Sequence, residues 1–287
     1  MTQPINRVGV VGCGLMGAGI AEVCAKTGYT VIVREVNREL MEVGIARIRS
    51  SLDRAVAKGK LAANDRDAAE ARIIGTTDLH ALNDCDLIIE AAVENLDLKR
   101  KIFAELDTVA PPHALLASNT SSLAITDMAA ATRRPDKVLG LHFMQPVPVM
   151  TLLELVRTFL TSEETFLAAR AFGESLGKTI IVSQDTPGFI VNRLLIPYLL
   201  QAIEALERGI ATKEDFDTGI RLGLGHPMGP FTLLDFVGLD TTLFIADAVF
   251  DETKDPRFAA PPLLRRMVSA GYLGKKSGKG FYDYSKG

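Results

Sequence analysis

The sequence predicts an α/β protein in two parts: an N-terminal part built on a mostly parallel sheet, then an all-helical C-terminal part. Three observations predict it. Short apolar runs rich in β-branched residues alternate, as far as about residue 182, with segments of ten or more residues at helical spacing. The first apolar run leads straight into a cluster of glycines. Past Asp185 the apolar residues keep helical spacing and no strand pattern appears. Strands alternating with helices of that length imply βαβ crossovers, and therefore parallel pairing. A chain of 287 residues fits two domains at roughly 100–200 residues each. The turn-forming run Gln184-Asp185-Thr186-Pro187-Gly188 puts the boundary between 1–185 and 186–287.

Each element has its own signal. Residues 8–11 are a short buried-strand run, 15–26 a helix, and 30–35 a strand with β-branched residues. Over 37–58 the spacing is helical, with Leu40, Val43, Ile48 and Leu52 on one face. Residues 85–92 (CDLIIEAA) form a further buried-strand run, 97–109 a helix and 115–118 a strand. Residues 138–143 and 152–156 are strands, 162–176 a helix and 179–182 a strand. In the second part, 189–206 is a long apolar helix and 223–230 (GLGHPMGP) a turn cluster between helices. Such apolar helices exceed what one small domain can bury, so a homodimer interface is expected there.

Composition excludes several classes. Lys plus Arg is 32 and Asp plus Glu is 35, a formal net charge of 32 − 35 = −3. Near-neutrality argues against nucleic-acid or membrane-surface binding, which needs a basic excess. Cys13, Cys24 and Cys85 are scattered and without CxxC spacing, so neither a disulfide framework nor a metal site is expected. The N-terminus lacks the pattern of a signal peptide, and no stretch of about 18 apolar residues occurs. The expected location is the cytoplasm.

Gly12-Cys13-Gly14-Leu15-Met16-Gly17 is a G-x-G-x-x-G between a strand and a helix. Gly12 serves the tight turn, Gly14 lets a diphosphate approach the backbone, and Gly17 lets the helix pack closely. The amides of Leu15 and Met16 open the helix that meets the phosphates. Glu35, 23 residues after Gly12, ends the second strand and is placed to accept hydrogen bonds from ribose hydroxyls. The pattern is that of a Rossmann-type domain with a preference for NAD over NADP. Arg34, beside Glu35, is read as a solvated strand-end residue.

Ser118-Asn119-Thr120-Ser121-Ser122 follows one strand and His142 ends another. The carboxyl ends of parallel strands face the crevice where ligands bind. A histidine there can take a proton from an alcohol as hydride leaves. Glu154, 12 residues on, is a carboxylate inside an apolar strand, costly unless paired. Pairing with His142 would orient the ring. The residues alone weigh this equally against a strand-end histidine bonded to backbone. His80, His113 and His226 read as structural.

Taken together, GCGLMGAGIAEVCA, IIEAAVEN, ASNTSSLAIT, RPDKVLGLHF, PVPVM, TPGFIVNRLLIPYL, HPMGPFTLLDFVGLD and GKKSGKGFYDY resemble the L-3-hydroxyacyl-CoA dehydrogenase family. Within it the chain looks like the stand-alone bacterial 3-hydroxybutyryl-CoA dehydrogenases. The resemblance runs from Val8 to Tyr284. It implies His142 as catalytic base, Glu154 as its partner, Ser121 at the substrate hydroxyl and Asn192 fixing the substrate. It implies NAD contacts from the glycine loop and from Glu35, Glu94, Lys99, Ser121, Gln145 and Lys276. Ser51, Lys58 and Ser121 would meet the acyl-CoA, on an excursion over 51–72 that otherwise reads as a solvated helix pair. Gln145 stands where the family usually has asparagine, so altered geometry near the nicotinamide is expected. Two rivals remain: a gulonate-type sugar-acid dehydrogenase of the same superfamily, and a non-catalytic NAD-binding homolog.

Overall fold

Eight strands form one sheet in the first of two units into which the chain divides, between Thr186 and Pro187; the computed structural model describes residues 4–285. The strands are β1 (Arg7–Val11), β2 (Thr30–Arg34), β3 (Ile73–Thr76), β4 (Leu87–Glu90), β5 (Leu115–Ser118), β6 (Val138–Phe143), β7 (Leu152–Arg157) and β8 (Thr179–Gln184). Their order is β3-β2-β1-β4-β5-β6-β7-β8. Every neighbouring pair is parallel except β6 with β7. The predicted mostly parallel sheet is therefore present.

Helices α1 (Leu15–Thr27), α2 (Arg38–Ala57), α3 (Ala63–Ala71), α4 (Leu96–Val109), α5 (Ile125–Ala129) and α6 (Glu163–Ser175) connect the strands. The starts of three are fixed by side chains that accept an orphan backbone N–H: Asn37 from Leu40, Asn95 from Leu98 and Ser162 from Thr165. Strand residues alternate between faces. Val8, Val10, Val31 and Val33 pack with Ile20, Ile48, Leu52 and Phe172 on one side. Ile88 and Leu116 of the strands, and Phe103 and Leu106 of α4, are buried as well.

Two details depart from the sequence expectation. Only Ile48 and Leu52 of the α2 face are buried; Leu40 and Val43 are exposed. In the first turns of α2 Leu40 and Val43 face away from the sheet while Met41 lies against Gly75 of β3, and full burial begins at Gly44, where a Cβ would overlap Cys13. β3 was not foreseen, because its four residues include a glycine and carry no alternation.

The second unit is helical: α7 (Val191–Glu207), α8 (Lys213–Gly223), α9 (Pro230–Val237), α10 (Leu239–Thr253) and α11 (Pro262–Ser269). Ile196, Leu199, Leu200 and Ile203 of α7 pack with Phe231, Leu234, Ile245 and Val249. The C-terminal segment is fastened to this core through Asp235, which accepts from the amides of Phe281 and Tyr282 at 2.8 Å each. Among the described residues, no helix is long and apolar enough to cross a membrane.

Candidate active site

The glycine loop sits at the carboxyl edge of the sheet, between the ends of β1 and β4. Gly12 has φ +92°, a left-handed conformation that favours glycine. A Cβ there would come within 2.7 Å of the Ala91 carbonyl oxygen. At Gly17 a Cβ would overlap the Gly12 carbonyl oxygen, so this glycine seats α1 against the turn. A Cβ at Gly14 would meet nothing within 4 Å. The approach to its backbone is open where a diphosphate would come, and no side chain caps the start of α1. Turn, helix start and open approach fit a dinucleotide.

Glu35 lies just past the end of β2. Its carboxylate accepts the Cys13 amide at 2.6 Å and the Val36 amide at 3.0 Å. It braces the glycine loop through the Cys13 amide. Cys13 itself is buried, and burial with the nearby Glu35 pushes its thiol up to about 12. A thiol so protonated is inert.

A second cluster joins the ends of β4 and β5. Glu90, 0% exposed, accepts from Lys99 Nζ at 2.6 Å and the Ala92 amide at 2.7 Å through one oxygen, and from Ser118 Oγ at 2.6 Å through the other. Lys99, 1% exposed, also pairs with Glu94 at 3.2 Å. Glu94 in turn accepts from Thr120 Oγ1 and the Ser121 amide, both at 3.0 Å. The Lys99 ammonium is thus enclosed by two carboxylates, and it reaches Ser121 through Glu94. The next residue but one before Ser121, Asn119, accepts the Phe143 amide at 2.9 Å and ties this turn to the end of β6.

His142 sits one residue before the end of β6. The antiparallel register sets it directly opposite Glu154 of β7. Opposed residues share a face, so a spacing of twelve residues becomes a contact of 2.5 Å between His142 Nδ1 and Glu154 Oε2. Both side chains are buried. An ionised Glu154 requires the proton on Nδ1, which fixes the tautomer with Nε2 as the acceptor nitrogen.

The remaining candidates separate. Ser51 and Gln145 line one cavity beside α1, whereas Lys58 is the exposed residue that ends α2. In the second unit, Asn192 is buried in the first turn of α7. Lys276 of that unit pairs with Asp240 at 2.6 Å. Sequence reasoning gave no role to Glu90, and placed Ser118 and Asn119 only within the polar run that faces the crevice. The signal for Glu90 was a carboxylate ending an otherwise apolar strand, the same signal that singled out Glu154.

A glycine loop at the end of β1 and a histidine–carboxylate pair farther along the same edge define an NAD-dependent dehydrogenase. Residues 7–186 match the family model for the 3-hydroxyacyl-CoA dehydrogenase NAD binding domain, and 188–284 that for the C-terminal domain. A 3-hydroxybutyryl-CoA dehydrogenase of Mycobacterium tuberculosis is 53% identical over 286 residues, 99% of this chain and 100% of that protein. The human mitochondrial hydroxyacyl-coenzyme A dehydrogenase is 47% identical over 288 residues, 98% of this chain and 91% of that one. The structure superposes on M. tuberculosis FadB2 with a TM-score of 0.97 at 53% identity, covering 98% of this chain and 100% of that one. For (S)-3-hydroxybutyryl-CoA dehydrogenase PaaH1 of Ralstonia eutropha the TM-score is 0.93 at 45% identity, covering 98% and 99%. The chain belongs to the 3-hydroxyacyl-CoA dehydrogenase family.

Proposed function

We propose that the protein interconverts a short-chain L-3-hydroxyacyl-CoA, 3-hydroxybutanoyl-CoA above all, and the 3-ketoacyl-CoA, as a cytoplasmic homodimer. The observation that carries this reading is the His142–Glu154 pair on the edge that also bears the glycine loop. NAD, when bound, supplies the acceptor for the hydride that leaves C3 of the substrate. His142 Nε2 takes the proton of the C3 hydroxyl as the carbonyl forms, and returns it in the reverse direction. Glu154 orients the ring and stabilises the imidazolium while it exists. Ser121, held through its amide by Glu94, is assigned to the substrate hydroxyl. Asn192 is assigned to positioning the substrate.

Oxidation of NADH by acetoacetyl-CoA tests the reading. We expect turnover with the wild type, and a kcat lower by about 10²–10⁴ in His142→Gln with unchanged NADH affinity. A near-wild-type kcat in that variant removes His142 from the chemistry. No turnover of acetoacetyl-CoA by the wild type, with turnover of a sugar acid, moves the substrate to the gulonate-type branch. Binding of NADH with neither activity leaves a non-catalytic homolog.

A further inference from the structure

Residues 144–151 connect β6 to β7, and so join the strand of His142 to the strand of Glu154, with no helix or strand of their own. One side chain from outside both strands fastens this connector. Lys178, the residue before β8, is buried, and its Nζ donates to the Val147 carbonyl at 2.7 Å and to the Met150 carbonyl at 2.6 Å. Between those carbonyls the chain folds on itself: the Val149 and Met150 amides both donate to the Pro146 carbonyl. Among the described residues no carboxylate forms an ion pair with Lys178, and burial together with the Lys26 ammonium pushes its pKa down. A cation without a counter-charge is costly to bury, and packing alone would be served by a leucine or a methionine. What this position needs is donors, and the groups that receive them are the two connector carbonyls.

The connector touches both halves of the site in this unit. Gln145, three residues beyond His142, lines a cavity together with Leu15 and Gly19 of α1. A Cβ at Gly19 would come within 2.9 Å of Val147 Cβ, so helix and connector are in close contact. The connector therefore bridges the strand that carries the histidine and the helix whose start meets the diphosphate, and its position governs their spacing. We propose that Lys178 is a positioning residue for hydride transfer: by clamping the connector it fixes Gln145 and α1 relative to His142. The proposal rests on the dehydrogenase reading above and adds to it a residue that acts only through the backbone it holds.

Lys178→Met keeps the buried volume and removes the donors, which leaves both carbonyls without them. With acetoacetyl-CoA and NADH its kcat is expected to fall by about 10²-fold, the scale set by a small misplacement of reacting groups, with the Kd for NADH unchanged. Hydride transfer then limits turnover, so the isotope effect on kcat with 4-deuterated NADH should rise. In the unliganded variant the Val149 and Met150 amides should exchange with solvent faster, while those of β6 and β7 keep their protection. Lys178→Ala adds a rescue experiment, because a cavity of about 330 Å³ borders Lys178 and gives a small amine a way in. Propylammonium should restore kcat and slow exchange, and tetramethylammonium, a cation with no N–H, should restore neither. If the alanine variant does not fold, the isotope effect and the exchange rates of Lys178→Met decide. A wild-type kcat in Lys178→Met overturns the proposal. So does a kcat that falls only with the folded fraction while isotope effect and exchange stay as in the wild type, or a rescue by both cations or by neither. A wild type that does not turn over acetoacetyl-CoA overturns instead the functional reading, and amide exchange in the unliganded variants still decides whether Lys178 clamps the connector.

Discussion

Glu90 shows what single residues do at this edge. It is fully buried, yet each of its oxygens accepts at least one hydrogen bond, and Lys99 balances its charge. Removing one partner of a buried ion pair costs roughly 3–5 kcal/mol, because the other is left uncompensated. Glu90→Gln is therefore expected to lower the unfolding free energy by about that amount in urea titration. It should also draw Glu94 toward Lys99 and away from Ser121. Pairing it with Lys99→Met should restore stability, and no restoration would show that the pair is not the source of the loss. Glu35 allows a prediction about cofactor choice. Its carboxylate braces the Cys13 amide and would face a 2′-phosphate of like charge. Glu35→Ala should lower kcat/KM with NADH and raise the NADPH/NADH ratio; a wild type that prefers NADPH would hand control of this pocket to Arg34. His142 and Glu154 were legible in the sequence because a lone histidine and a lone acid ended or interrupted apolar strands. On the residues alone their contact weighs equally against a backbone-bonded histidine, because a spacing of twelve residues becomes a contact only when β6 and β7 run antiparallel; the family resemblance implies it.

At the scale of elements, the sequence was clearest where periodicity was long. The helices at 15–26, 97–109 and 162–176 and the strands with four or more β-branched or leucine residues appear within a residue or two of their expected places. What escaped was short: β3 and α5, whose lengths of 4 and 5 residues give periodicity little to act on. Such pieces are held by particular side chains instead. Asp107 of α4 is an example. It accepts from Arg133 Nε and amide, and from Arg134 Nε at 2.7 Å, so that α4 carries the chain that leads into β6. Burial raises its carboxyl, but the two arginines outweigh this and hold it below the usual carboxylate range. A depressed folded value gives stability that is complete above the ordinary carboxylate pKa and is lost as pH falls through the folded one. Asp107→Asn should therefore lower Tm at pH 7. The gap to the wild type should close as the pH is taken below about 4, and a gap independent of pH would assign the loss to shape rather than charge.

At the scale of the whole molecule, the question is what covers the second unit. Its core is complete, with α7, α9 and α10 contributing buried leucines, isoleucines and phenylalanines. Yet the same unit leaves Leu194, Ile210, Leu222, Leu224, Phe236 and Phe244 exposed, Leu222 at 74%. Scattered exposed leucines are ordinary on a monomer. Here they recur on or beside successive helices of one small unit, α7 through α10, the unit where the sequence reading of 189–206 expects an interface. A second copy is the occupant the sequence favours, since a self-complementary apolar face closes on itself about a two-fold axis. A stable dimer of this kind would bury at least about 1,000 Å² in total. Light scattering at micromolar concentration should then return twice the chain mass of 31.0 kDa. Leu222→Asp combined with Ile210→Asp should shift the protein toward the monomer, because each places an unpaired charge in an apolar contact. The glycine loop and the His142–Glu154 pair belong to the other unit, so the NADH affinity of the double variant should survive. A wild type that scatters as a monomer, or a double variant that remains a dimer, would place these exposed side chains outside any interface.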